Sequence, residues 1–267
     1  MKAKVIGIIG AGLVGKSLAT QLSKAGHTVK VANSRGPHTL QNFAKETGTK
    51  AVDIKDIASN VDVLILAVPL KNVVGLRTLV SNLTNTTVVL DACNYYPWRD
   101  ERIPEIDAGL TESVWVAQQL GFPVIKAFNN IIASNMVTSS RAHGATDRVA
   151  LPVSGDDPKA KSVIMELVED IGFTAYDAGA LVDSWRQQPA QPIYCTDPSL
   201  KELPSLLARA NKKKAAANRG RIKTILNRIP ADFSGQDLTQ ASRLFIGLDV
   251  FKLKSWTALF RLGLAMI

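Results

Sequence analysis

A chain of 267 residues, 46% hydrophobic and 21% charged, has the length and composition of a globular protein with a well-buried core, which excludes a disordered or fibrous architecture. The two cysteines, Cys93 and Cys195, lie far apart without metal-ligand spacing, so a disulfide framework is excluded, no metal site is expected, and the cytoplasm is the expected compartment. The net charge of +9 comes almost wholly from Arg209, Lys212, Lys213, Lys214, Arg219, Arg221, Lys223 and Arg228, with no carboxylate among them. Such a stripe fits a solvated helix face, a polyanionic ligand or weak peripheral contact with an anionic membrane. Nucleic acid is not expected, because no aromatic side chains interleave the charges for base stacking.

Val5–Ile9 is a short unbroken apolar run, as a central parallel strand buried on both faces requires. No basic region and cleavage site precede it, so no secretion signal is expected. A glycine-rich turn follows, then a helical pattern through Leu18, Leu22 and Ala25 that ends at Gly26, where a C-cap favours glycine. Thr28–Ala32 reads as the second strand. Residues 39–47 predict a short helix closed by Gly48, residues 50–52 a small strand, and residues 56–59 a helical turn. Residues 62–68 form another buried strand pattern, stopped by Pro69. Residues 73–83 predict a helix, 87–92 a strand, Glu112–Leu120 a helix, and 124–128 a strand. A strand at 148–153, a strong helix at 158–171 and a last strand at Thr174–Asp177 follow.

This alternation predicts an α/β architecture: a Rossmann-type, doubly wound, mostly parallel sheet with a C-terminal helical extension. Past Leu181 the rhythm turns helical, with patterns at 200–217 and 241–262 around a looser stretch holding Pro230 and Gly235. The expected division is a dinucleotide-binding domain at residues 1–183 and a mainly helical segment at 184–267. That segment would complete the acceptor site, form a homodimer interface, or both. Leu248, Phe251, Trp256 and Phe260 would belong either to a dimer face or to ordinary core. No window reaches the roughly 18 uninterrupted apolar residues of a spanning helix. The nearest, residues 244–267, is broken by Asp249, Lys252, Lys254 and Arg261.

Gly10-Ala11-Gly12-Leu13-Val14-Gly15 fits G-x-G-x-x-G. The pattern alone is weak, but here it follows a predicted strand and opens a predicted helix. Gly10 permits the tight turn, Gly12 a close backbone approach to a pyrophosphate, and Gly15 close packing of helix on strand. Free N–H groups and the helix dipole would hold the phosphates. About 20 residues further on, the second strand ends in Asn33-Ser34-Arg35 rather than in the carboxylate that bonds the ribose of NAD. Asn33 removes a repulsion, Ser34 offers a hydroxyl, and Arg35 a guanidinium suited to a 2′-phosphate. NADP(H) is therefore the expected coenzyme.

In an open parallel sheet the ligand lies beyond the carboxyl ends of the strands. Those ends supply Ala67, Val68, Pro69, Asn94 and Ala127 as candidates for the nicotinamide wall, and Asn129 and Asn130 for contacts to carboxamide or acceptor. Trp185 and Arg186 offer a stacking wall and an anion contact for the acceptor. Asp91 and Lys126 stand at suitable strand ends, but sequence shows no pairing. His27, His38 and His143 lack the partners of a catalytic imidazole, and no catalytic residue is assigned. A positioned hydride donor and a planar acceptor would suit so sparse a site.

The glycine turn, Asn33-Ser34-Arg35-Gly36-Pro37, Val124-Ile125-Lys126-Ala127-Phe128-Asn129-Asn130 and Leu151-Pro152-Val153-Ser154-Gly155-Asp156-Asp157 together resemble the NADPH-dependent coenzyme F-420 (deazaflavin) reductases. The likeness continues through Asp177-Ala178-Gly179-Ala180-Leu181 and Ser184-Trp185-Arg186-Gln187-Gln188-Pro189, spanning roughly residues 4–195. The same segment resembles the oxidoreductase domain of the six-transmembrane ferric and cupric reductases. The resemblance implies an NADP site at Gly10–Gly15 and Ser34-Arg35, with hydride passing between NADPH and a small-molecule acceptor, a deazaflavin or flavin-like ring, near Asn129 and Asn130. Where the deazaflavin enzymes carry a histidine, this chain has Asn129. Alternatives are a ferric or cupric reductase working through flavin and a non-catalytic NADP(H)-sensing module.

Overall fold

The computed structural model describes residues 2–230 and 232–264, apart from the side chains of Ala216, Ala217, Arg221, Ile225 and Leu226. Arg221 of the basic stretch, and the last three residues of the C-terminal segment, thus lie outside what is described. In chain order the first half holds β1 (Val5–Ile9), α1 (Leu13–Lys24), β2 (Thr28–Ala32), α2 (Gln41–Thr47), β3 (Lys50–Ala51), β4 (Val63–Leu66), α3 (Arg77–Val80) and β5 (Val88–Asp91). Then come α4 (Pro97–Asp100), α5 (Pro104–Asp107), α6 (Glu112–Leu120), β6 (Ile125–Lys126), α7 (Ala133–Thr138), β7 (Ala150–Val153), α8 (Pro158–Asp170) and β8 (Thr174–Asp177). The helices α9 (Leu203–Ala208), α10 (Ala215–Leu226), α11 (Gly235–Phe245) and α12 (Leu253–Leu264) complete the chain.

Strands β1 to β6 pair in parallel in the order β3-β2-β1-β4-β5-β6. The apolar runs explain why: alternate residues point to opposite faces, and both faces are covered. Val63 and Ile65 of β4 join one core with Ile6, Ile8 and the α1 residues Leu18 and Leu22; Leu64 and Leu66 join the other with Trp115 and Val116 of α6. Each such side chain contributes about 1.5–3 kcal/mol when fully buried. Strand order reverses between β1 and β4, which opens a crevice at their carboxyl ends.

Four expectations are corrected. β7 and β8 do not extend the parallel sheet but form a two-stranded sheet of their own. An antiparallel bridge between Lys126 and Ser154 links this pair to β6. The helix expected at 73–83 is one 3-10 turn, Val74–Leu76, followed by the single turn of α3. In the C-terminal segment, 200–217 breaks between α9 and α10, where the Asn211 side chain caps a new turn by accepting from Lys214 N. Residues 241–262 are likewise two helices. Gly247 at φ +79° and Asp249 at φ +45° turn the chain between α11 and α12.

The helical segment is tied closely to the sheet. Ala150 N of β7 donates to Pro198 O at 2.7 Å. Gly235 opens α11 hard against α7: a Cβ there would lie 2.2 Å from Ser134 Oγ. Asn135 of α7 donates to Asp197 at 2.6 Å and to Thr239 at 2.9 Å. Arg243 bridges Glu202 and Asp249, each at 2.7 Å.

Candidate functional site

The crevice begins at the glycine turn. Gly10 holds φ +106°, and a Cβ on it would lie 2.3 Å from Ala67 O, so β1 and β4 meet here as closely as backbone allows. A Cβ on Gly15 would lie 1.8 Å from Gly10 O, which fixes the first turn of α1 onto the loop. Gly12 differs. It has ordinary extended geometry, and a Cβ would meet nothing within 4 Å. Gly12 is the N-cap of α1 without any side-chain cap, the first turn has no acidic residue, and the Leu13 side chain is 81% exposed. The N-terminal N–H groups of a twelve-residue helix therefore face open space with their dipole uncompensated, which is the chemistry of a phosphate cradle.

At the end of β2, Asn33 accepts from Arg35 N at 3.0 Å and donates to Thr39 Oγ1 at 2.9 Å. Its amide thus builds the turn, leaving the Ser34 and Arg35 side chains exposed beside it. Ala67, Val68 and Pro69 are half-buried at the end of β4, on the far side of the turn from β2.

The ends of β5 and β6 are joined by an amide network. Asn129 Nδ2 donates to Asn94 Oδ1 at 3.1 Å and to Gln187 O at 2.7 Å, and Asn94 Nδ2 donates to Asn129 O at 2.8 Å. Gln187 Nε2 returns a bond to Asn129 Oδ1 at 3.2 Å, while the side-chain Oε1 of Gln187 accepts from Ser154 Oγ at 3.1 Å. Phe128 reaches φ +61°, a left-handed conformation costing roughly 1–2 kcal/mol that turns the chain out of β6 into these asparagines. Ala127 and Asn130 are buried beside them, and neither polar atom of the Asn130 side chain has a hydrogen-bond partner. Asn94 Nδ2 also lies 3.5 Å from the Tyr194 hydroxyl, which in turn bonds the Tyr96 hydroxyl. Trp185 and Arg186 have other surroundings. The Arg186 guanidinium stacks over the Trp185 ring at 4.7 Å and approaches Leu207 O, and among the described residues neither bonds to Asn129 or Asn130.

Beneath this network lies charge that the sequence could not pair. Lys126 Nζ is 3.1 Å from Asp91 Oδ2 and also donates to Cys93 O, with both charged side chains sealed from solvent. Asp91 further accepts from Ser113 Oγ at 2.7 Å and Cys93 N at 2.9 Å. Burial pushes the Cys93 thiol well up, so it stays protonated. The neighbouring Glu112 accepts from Tyr95 N at 3.1 Å and faces Arg219 of α10 at 3.5 Å; burial pushes its carboxyl up to about 7. Every charge here has a partner, so these groups hold the crevice floor in place. His27, buried and bonded to Lys4 N and Asp170, has its pKa lowered mainly by burial and fastens the start of the sheet. His38 and His143 are exposed.

The Tyr96–Tyr194 pair was not found by reading motifs, since the two residues stand 98 positions apart. Both line a cavity of about 700 Å³ closed on the other side by α10, α11 and α12.

Six parallel strands in this order, with a glycine turn leading from the central strand into the first helix, define a Rossmann-type nucleotide-binding fold. Residues 5–95 match the family model described as NADP oxidoreductase, coenzyme F420-dependent, and over that stretch the chain is similar to that family. A solved structure of a hypothetical protein, SMa0349 from Sinorhizobium meliloti, is 30% identical, with 74% of this chain and 96% of that one covered at a TM-score of 0.62. A structure from Arthrobacter sp. FB24, described as an F420-dependent NADP-reductase, shares the fold at 22% identity and a TM-score of 0.57, covering 68% of this chain and 88% of its own. Metalloreductase STEAP3 of Rattus norvegicus is 30% identical over 209 residues, 78% of this chain and 40% of its own length. The chain spans about two fifths of the length of the curated relatives it matches. No described helix is long and apolar enough to cross a membrane, and no described cluster of His, Cys, Asp and Glu could hold a metal ion.

Proposed function

We propose that this protein binds NADPH along the crevice and reduces a planar two-electron acceptor, a deazaflavin or flavin-like ring. The observation that carries this is the pairing of an uncapped helix N-terminus at Gly12 with the exposed Ser34 and Arg35 at the end of β2, where no carboxylate stands. Residues 10 to 15 would hold the pyrophosphate through backbone N–H groups, and Ser34 and Arg35 the 2′-phosphate, while Asn33 shapes the turn that presents them. Ala67, Val68, Pro69, Asn94, Ala127 and Asn129 would wall the nicotinamide. Bound there, the coenzyme supplies the hydride. The protein's part is to orient both rings and to exclude water, which suits a site without an acid–base pair.

Asn129 and Asn130 belong at the acceptor side, and the unpartnered amide of buried Asn130 supports that placement. Trp185 and Arg186 would act from the periphery. A second reading, reduction of ferric or cupric ions through a bound flavin, is favoured by the likeness to a metalloreductase over most of this chain. We place the protein in the cytoplasm, as two unpaired cysteines suggest, and as a pair of identical chains joined through α12, whose Trp256 and Phe260 lie exposed on the helix.

Stopped-flow oxidation of NADPH against deazaflavin, flavins and ferric chelates tests both readings. Rapid turnover with free deazaflavin or flavin supports the first. Turnover with ferric chelate that requires added flavin supports the second. Tight NADPH binding with no oxidation by any acceptor would leave a sensing module instead.

A further inference from the structure

We propose that the cavity between the Tyr96–Tyr194 pair and helices α10–α12 is where the acceptor binds, and that it takes a flat, largely apolar ring system bearing an anionic substituent. The placement rests on the coenzyme lying in the crevice, because Tyr194 touches Asn94 at the nicotinamide end. At about 700 Å³ the cavity falls within the range of roughly 300–1,000 Å³ usual for small-molecule sites.

Its walls are apolar where the three helices meet, with Ile222 from α10, Leu238 and Ile246 from and beside α11, and Leu259 and Leu262 from α12. Such a surface binds ring faces by burial and dispersion. Polar groups are few. The two phenols own two protons, and one is used within the Tyr96–Tyr194 bond, to which Asn94 contributes as a donor. One phenolic proton is therefore left for an acceptor atom, such as a ring carbonyl or nitrogen, of a ligand in the cavity.

The charge at the rim is one-sided. Arg209 and Lys214 line it, and none of the described lining residues is a carboxylate. Arg209 uses one terminal nitrogen on Ile246 O, and the Lys214 ammonium has no partner among the described residues. A neighbouring cavity of about 710 Å³ shows the contrast: its Arg243 is already neutralised by Glu202 and Asp249. The tyrosine-lined cavity has cations to spare, which selects a ligand with a phosphate or carboxylate beyond its ring.

Titrating the whole protein, without coenzyme, with FMN and with riboflavin by flavin fluorescence tests this. FMN is expected to bind roughly tenfold or more tighter than riboflavin, because the phosphate meets Lys214 and Arg209. Lys214→Glu, at an exposed position, is expected to erase that preference while leaving riboflavin affinity unchanged. Ser242→Trp, which fills the cavity from α11, is expected to abolish binding of both flavins while NADPH still binds. If the wild-type protein binds NADPH but neither flavin, or if neither substitution changes flavin binding, the cavity is not the site. If flavins follow this pattern and NADPH does not bind, the cavity stands and the coenzyme assignment falls. Should Ser242→Trp fail to fold, the loss or survival of FMN preference in Lys214→Glu decides alone.

Discussion

The glycine turn and the tyrosine-lined cavity are built in opposite ways. The turn is assembled from residues within one short stretch, and its geometry follows from what glycine permits: Gly10 and Gly15 are pressed against backbone, while Gly12 faces open space. The cavity draws on Tyr96, Tyr194 and three helices that begin beyond residue 214, so its shape exists only once the chain has folded back on itself. Local geometry can be written in a motif. A wall made of distant residues cannot, and it can vary without disturbing the fold that carries the coenzyme.

The largest effect should come from the turn. Gly15→Val is expected to weaken NADPH binding at least a hundredfold and to lower Tm, because its Cβ would lie only 1.8 Å from Gly10 O. Gly12→Ala, by contrast, should leave Tm unchanged and weaken NADPH about tenfold or more; calorimetry and thermal unfolding on the pair separate structure from ligand contact. A Gly12→Ala protein as unstable as Gly15→Val would show that Gly12 is pressed against backbone as Gly15 is.

At the ends of β5 and β6, Lys126→Met strands the buried Asp91 carboxylate and should cost about 3–5 kcal/mol, a Tm loss on the order of 10 °C. An unchanged melting curve would mean the pair is not sealed from water. Arg35→Asp is expected to shift the preference from NADPH toward NADH by roughly ten- to a hundredfold, read from Kd values for the two coenzymes, with stability unaltered at this exposed site.

The smallest effect concerns the contact between α6 and α10, Glu112 with Arg219. Burial raises the folded carboxyl from an ordinary 4.5 to about 7, so the folded state holds this proton more tightly than the unfolded chain. Stability from this group is then full below about pH 4.5, declines as pH rises toward 7, and is flat above it; the total is on the order of 1–3 kcal/mol. Thermal unfolding across that window should show a smaller decline in Glu112→Gln than in the native protein, the remainder including Asp197, whose carboxyl burial raises to about 6.

How much was legible follows the same division. β1, α1, β2 and the Asn33-Ser34-Arg35 end could be read because strand runs, helix periodicity and turn residues are short-range signals. The match of residues 5–95 to the family covers this legible part. The separate β7–β8 sheet was not legible, since an apolar run does not name its neighbour, and only the bridge at Ser154 shows where it attaches. The split of residues 200–217 left a trace in Asn211, and that of 241–262 in Gly247; the Ser234 and Asp237 capping box likewise marks the start of α11. The pairings Asp91–Lys126, Glu112–Arg219 and Tyr96–Tyr194 left none, because nothing in a linear pattern couples residues so far apart.

The Asp91–Lys126 pair sealed beneath Asn129 has an electrical consequence. A carboxylate beside an ammonium produces fields that largely cancel a few ångströms away, so this pair presents little net charge to anything resting above it. If the proposed sites hold, discrimination between charged and uncharged ligands would arise at the margins, from Arg35 at one end and from Arg209 and Lys214 at the other, and not from this pair.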